Sequence, residues 1–203
     1  WVPSLYVAEG IPYVMAMTVS VVLYKRLGIS NTDIAFYTSW LYLPWVIKPL
    51  WSPFVELYRT KRYWILLMQL LTGASLACIA FTIPAVRFFQ YTLAFFWLMA
   101  FSSATHDTAA DGFYMLGLPE SLQAAFVGVR TIFYRFAMVA AQGGLVIFAG
   151  HLEGTGQDIP TAWSVTFFLA AAVFLALFLY HFFVLPYPAA DRPASRDRSK
   201  SVA

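Results

Sequence analysis

The chain has 203 residues, of which 61% are hydrophobic, 19% aromatic and 11% charged, far from the roughly one-quarter charged residues of soluble globular domains. Its formal charge of +3 is small and sits mostly near the ends of apolar segments, a pattern of topology signals that excludes a nucleic-acid surface. The lone Cys78 lies inside an apolar run, so the chain by itself offers neither a disulfide frame nor a thiolate metal site.

This is the composition of an all-α, polytopic membrane protein. With Trp1 first, no initiator methionine and no signal-peptide pattern, the chain is expected to be a piece truncated at least at its N-terminus. Windows of about 20 apolar residues, the length a helix needs to cross the hydrocarbon, fall at residues 2–23, 33–56, 63–84, 91–114, 125–149 and 162–185. The first carries Glu9 and Pro12, and the second carries Lys48 among Pro44, Pro49 and Pro53. Each proline removes a donor and frees a carbonyl that lipid cannot satisfy, so both segments should be bent and packed against protein. The third follows a basic turn, Tyr58 to Arg62, and has Trp64 near its start. The fourth holds His106, Asp107 and Asp111; the fifth holds Arg130, Arg135 and the pair Gly143-Gly144, which permits close helix approach through ordinary small-residue packing. The sixth starts near Trp163 and ends near His181, and both side chains suit the membrane interface. Residues 1–185 therefore read as a six-helix bundle, and residues 186–203, rich in Pro, Ala, Ser and Arg, as a cytoplasmic linker or unfolded tail.

Six crossings return the chain to its starting side. That side would carry Arg59, Lys61, Arg62, Arg192, Arg196, Arg198 and Lys200, and the other only Lys25, Arg26 and Arg87, with Glu153 and Asp158 in its last loop. Seven basic residues against three orient both ends toward the cytoplasm.

Depths follow from 1.5 Å per residue: about 6 Å from the cytoplasmic end for Asp111, 9 Å for Arg130, 12 Å for Asp107, 14 Å for Lys48 and 17 Å for Arg135. Asp107, Lys48 and Arg135 thus converge near the midplane, and Asp111 and Arg130 share a level nearer the cytoplasm. Glu9, about 13 Å in on the first helix, joins them. One reading is a polar cavity in which carboxylates exchange protons while cations and His106 hold an anionic or sugar-like substrate. The other is a set of interhelical ion pairs that only fix packing. Charge at midplane depth favours the first. His106 and Asp111 also match an H-x4-D spacing used by some acyl-transferring enzymes, a membrane-embedded transferase being the alternative to a transporter, with a wall-fragment sensor as a third possibility. No metal-ligand spacing and no phosphate-binding loop of the G-x-x-x-x-G-K-[ST] type occurs. The expectation is a non-enzyme without cofactor or metal.

Several motifs, in order, resemble the AmpG-type muropeptide permeases of the major facilitator superfamily. They are Gly10-Ile11-Pro12, the run Lys48-Pro49-Leu50-Trp51-Ser52-Pro53 leading to Glu56, Lys61-Arg62-Tyr63-Trp64, Ser103-Ala104-Thr105-His106-Asp107 with Asp111, and Tyr134-Arg135. The K-x-L-W-S-P run is the most specific. Three departures stand out: Glu56 where an aspartate is usual, Thr60-Lys61-Arg62 in place of a glycine-led basic run, and His106 where glutamine is common. The resemblance implies the N-terminal half of a twelve-helix fold built from two three-helix repeats, residues 1–84 and 91–185, completed by a second six-helix half. It implies a proton-coupled importer of anhydro-muropeptides in the bacterial inner membrane, or of another anionic solute such as an acyl-CoA or sugar derivative. Asp107 and Asp111 would couple protons, and Lys48, Arg135, His106 and Glu9 would bind substrate. Glu56, Arg59, Lys61, Arg62 and Arg130 would form the signature loop and gate. The partners implied are a small-molecule substrate, protons and lipid.

Overall fold

The computed structural model describes residues 1–193; residues 194–203, with Arg196, Arg198 and Lys200 of the basic tail, lie outside the described residues. The described residues form helices joined by short turns, without a strand among them. We label the helices α1 (Val2–Arg26), α2 (Asn31–Ser39), α3 (Leu43–Ile47), α4 (Ser52–Leu57), α5 (Lys61–Thr82), α6 (Phe88–Gly117), α7 (Glu120–Gly154) and α8 (Ile159–Val184). Of these, α1, α5, α7 and α8 are long and apolar enough to cross a membrane. Helix α6 has 30 residues, a length of about 45 Å, but its apolar run is interrupted by His106, Asp107 and Asp111.

Proline acts differently in the first two segments. In α1 the chain stays helical past Pro12 and relaxes into a π-helical turn at Met15–Val19, with the Met15 N–H shared between the carbonyls of Ile11 and Pro12. Such turns absorb a lost hydrogen bond without ending the helix and are frequent at functional sites. The second segment is broken rather than bent. Pro44, Pro49 and Pro53 each stand in the first turn of a new helical piece, where a missing N–H would have had no partner anyway. Short 3-10 turns at Trp40–Tyr42 and Lys48–Leu50 join the pieces, and Lys48 stands at one of the breaks.

Helix α5 packs on α6 and α8, α1 packs along α7, α2 folds back on the end of α1, and α3 and α4 run along α6. Two apolar cores result. The larger joins Leu23 and Tyr24 of α1 to Leu76, Phe96, Trp163 and Phe167; the smaller, toward the other end, joins Leu5, Val55, Ile65, Ala109, Phe113 and Leu185. In α1 and α6 the polar residues Glu9, His106 and Asp107 fall between the stretches that feed these cores, so a polar layer is held between two dry ones.

Several expectations are corrected by this packing. A Cβ on Gly143 or Gly144 would meet nothing within 4 Å, whereas a Cβ on Gly10 would lie 2.6 Å from the Tyr134 carbonyl oxygen; the close approach is between α1 and α7, and Gly10 makes it. Trp163 is 1% exposed, with Nε1 donating to Glu153 Oε1 at 2.9 Å, and His181 is fully buried, because α8 turns both inward rather than to the interface. The stretch read as a free linker is docked as far as the structure describes it. Asp191 accepts from the backbone N–H of Lys61 (2.7 Å) and Arg62 (3.0 Å), capping the first turn of α5 where unpaired N–H groups favour an anion. Arg62 lies 4.0 Å above the Tyr187 ring. At the opposite end Arg26 pairs with Glu153, and Asp158 caps α8 by accepting from the Thr161 N–H at 3.1 Å, which holds its carboxyl below the ordinary carboxylate range.

The close crossing gives a direct test. Gly10→Val forces its new atoms into the α7 backbone and is expected to cost about 1–3 kcal/mol, seen as a lower unfolding temperature in detergent. Gly144→Val should leave that temperature nearly unchanged; equal effects would contradict the assignment of the contact to Gly10.

Candidate functional site

Three helix faces converge on the polar layer. On α1 Tyr6, Glu9 and Tyr13 follow a spacing of three and four, on α6 Asp107, Asp111 and Tyr114 a spacing of four and three, and such spacings align side chains on one face. With Arg130, Thr131, Tyr134, Arg135 and Met138 of α7, the residues Tyr6, Glu9, Tyr13 and Asp111 line an open cavity of about 460 Å3. Tyr13 packs edge-on against Trp45 at 5.4 Å, which brings the broken segment to the same space.

Lys48 is set there by its own sequence run. The Ser52 hydroxyl donates to the Lys48 carbonyl at 2.9 Å, and the Trp51 indole N–H donates to Thr105 Oγ1 of α6 at 3.1 Å. The Lys48 ammonium then reaches Asp107 and forms an ion pair with it. Arg135, expected at the same depth as Lys48 and Asp107, does not join this pair. It lines the cavity but is exposed, and among the described residues it forms no ion pair. The reason is angular: Arg135 stands five residues beyond Arg130, about 140° around α7, and it is Arg130 that faces α6.

Arg130 is joined to Asp111 at 3.2 Å, and Tyr6 ties the two together by donating to Asp111 Oδ1 at 2.9 Å and accepting from Arg130 at 2.9 Å. The guanidinium also lies over the rings of Tyr6 and Tyr114, at 5.3 and 5.1 Å. The two ion pairs differ in wetness. Side-chain exposure is 34% and 50% for Arg130 and Asp111, against 31% and 21% for Lys48 and Asp107. A wet pair contributes about 0–1 kcal/mol, whereas removing one partner of a dry one leaves a costly lone charge. The first is the cheaper of the two to open.

Glu9 is the third carboxylate. It is 5% exposed, and its Oε1 has no hydrogen-bond partner among the described residues.

His106 does not line this cavity. It is 3% exposed and faces α5 and α8, with Nε2 at 3.0 Å from the Gln69 amide nitrogen; that nitrogen is 2.8 Å from His181 Nδ1, and His181 Nε2 is 2.9 Å from the Ser4 hydroxyl. Five residues separate His106 from Asp111, about 140° of rotation, so the H-x4-D pair expected of a transferase points in two directions. The signature-loop residues also divide. Lys61 lies 3.8 Å from Glu56, and its stem crosses Gly112, where a Cβ would sit 2.5 Å from Lys61 Cε. Arg62 turns to the docked tail, and Arg59 covers the Tyr63 ring at 5.5 Å. Arg59 holds φ +66°, a left-handed conformation that favours glycine, at the turn where the resembling family has a glycine-led run.

Tyr6, Tyr13, Tyr134, Gln69 and His181 were not among the expected site residues. The tyrosines carried a signal, since Tyr6 and Tyr13 flank Glu9 at helical spacing; Gln69 and His181 carried only that of a lone polar residue within an apolar run.

Over 145 residues the chain is 27% identical to the uncharacterised protein C21B10.09 of Schizosaccharomyces pombe, an alignment covering 64% of this chain and 28% of that protein. The chain thus spans less than a third of this relative's length. Residues 9–193, nearly the whole described chain, match the BT1 family. With its apolar helices and charged interior layer, this multi-pass membrane protein belongs to the BT1 family, a transporter family of the major facilitator type.

Proposed function

We propose that the chain is the N-terminal half of a proton-coupled secondary transporter that carries a small anionic solute past the cavity between α1, α6 and α7. The observation that carries this reading is the polar layer. Glu9, Asp107 and Asp111 meet Lys48, Arg130 and Arg135 there, from four separate segments, at a level where charge is hard to justify by packing alone.

In this reading α2 to α4 together make one crossing, giving six. Exchange of residues 1–84 with 91–185 sends α1 to α6, α2–α4 to α7 and α5 to α8. The contact of α1 with α7 then corresponds to that of α6 with α2–α4, and the α5–α8 contact maps onto itself, which supports two three-helix repeats. A second six-helix half would complete the carrier.

Arg135, exposed to the cavity, makes first contact with the substrate's anionic group, and Lys48 receives it when the pair with Asp107 loosens. Carboxylates of the layer carry the proton. The Arg130–Asp111–Tyr6 triad gates the cytoplasmic end, with the Glu56, Arg59, Lys61 and Arg62 turn beside it. An anhydro-muropeptide, which carries peptide carboxylates, is the substrate that the motif resemblance favours; an acyl-CoA would offer anionic groups to the same cations.

Both termini and the Tyr58 to Arg62 turn are taken as cytoplasmic from the division of basic residues. After replacing Cys78, Tyr58→Cys should be shielded from an impermeant thiol reagent in intact cells and Thr155→Cys should be labelled. The reverse pattern would invert the topology. For the site, full-length protein in proteoliposomes with an imposed pH gradient is offered labelled anhydro-muropeptide and, separately, labelled acyl-CoA. Lys48→Ala should weaken uptake of the accepted compound about 10- to 100-fold, the loss of one charged hydrogen bond, and Lys48→Arg should retain part of it. Unchanged uptake by the alanine variant would make Lys48 a packing residue and remove the substrate role.

A further inference from the structure

Within the polar layer the charges do not all pair. Asp111 has Arg130, and Asp107 has Lys48. Glu9, from the buried face of α1, has neither, and its Oε1 finds no hydrogen-bond partner among the described residues. At this level α6 contributes the two aspartates and the broken segment contributes Lys48. On α7, Arg130 is engaged with Asp111 and Tyr6, and Arg135 stands exposed in the cavity.

The second observation is burial beside the cavity. Glu9 is 5% exposed yet borders the cavity together with Asp111, and a carboxylate held there without a cation of its own is costly as an anion. The nearby ammonium is already committed: Lys48 donates to Asp107 and keeps the negative charge there, which leaves the proton to Glu9.

We infer that Glu9, rather than Asp107, takes up and releases the coupling proton, standing in this structure as a buried carboxylic acid. This rests on the proton-coupled reading above. The step balances simply: the Glu9 O–H bond breaks, the proton passes to water in the cavity, and the electron pair stays on the Glu9 carboxylate. Ionised Glu9 then competes with Asp107 for the Lys48 ammonium, and this loosens the tie between the broken segment and α6. Glu9 is next to Gly10, at the closest approach of α1 to α7, so the change of charge occurs where these two helices are held together.

Infrared difference spectroscopy on the full-length protein in lipid, without substrate, tests the assignment. A step from acid to alkaline pH should abolish the C=O stretch of one buried carboxylic acid. That band should shift in protein grown with 13C-carboxyl glutamate, stay unshifted with 13C-aspartate, and be missing in Glu9→Gln. In Glu9→Asp it should return and follow the aspartate label. Absence of the band from the wild type, its survival in Glu9→Gln, or a shift with labelled aspartate in the wild type would overturn the inference. No substrate enters the measurement, so failure here with uptake intact removes Glu9 alone, whereas an intact band without uptake of any offered solute removes the transport reading.

Discussion

The ion pair between Lys48 and Asp107 is the interaction on which the polar layer depends. One partner stands on a 3-10 turn between two helical fragments, and the other near the middle of α6. A lysine on a continuous helix would have had a fixed direction. Here the prolines at 44, 49 and 53 break the segment into pieces, and Trp51 and Ser52 fasten the break to α6 and to the Lys48 carbonyl. The tie between segment and helix is electrostatic at its centre. A change of charge nearby can therefore move it, which an apolar contact of the same area would not allow.

Around that pair the molecule is unevenly stiff. Helix α1 is seated on α7 at Gly10 with no room for a methyl group, the Arg26–Glu153–Trp163 clasp closes one end, and Asp191 caps α5 at the other. The buried chain of Ser4, His181, Gln69 and His106 ties α1, α8, α5 and α6 on the side away from the cavity. The wet Arg130–Asp111 pair and the broken segment are the weaker links. A carrier that rocks needs this division, since rigid parts transmit a movement and only marginal contacts can make and break within it.

Much of this was legible in the sequence. The apolar windows at 2–23, 63–84, 125–149 and 162–185 fall on helices long and apolar enough to cross a membrane, because a run of about 20 apolar residues favours that element by composition alone. The window at 33–56 is instead broken into short helical pieces at its prolines, and that at 91–114 lies on a long helix interrupted by charge. The convergence of Lys48, Asp107, Asp111 and Arg130 followed from depth. Depth, however, says nothing about angle: Lys48 meets Asp107 while Arg135, at the same depth, stays apart in the cavity, and His106 and His181 face inward to Gln69. The motif resemblance reached the major facilitator type, which the BT1 match supports at the level of the family. Gly10 outweighs Gly143-Gly144 for a related reason, since a small residue matters only where a neighbour's backbone arrives, and sequence does not show arrival. The docked Asp191 carried no periodic signal at all.

Lys48 and Asp107 act as a coupled pair and not as two independent polar side chains. A double-mutant cycle with Lys48→Met and Asp107→Leu, read by equilibrium unfolding in lipid–detergent micelles, measures that coupling. Either single replacement strands the other charge in a poorly solvated site, and should cost about 3–5 kcal/mol if fully dry and less here in proportion to its wetness. The double replacement should recover most of the loss. Additive losses, with the double variant as unstable as the two singles summed, would contradict the claim.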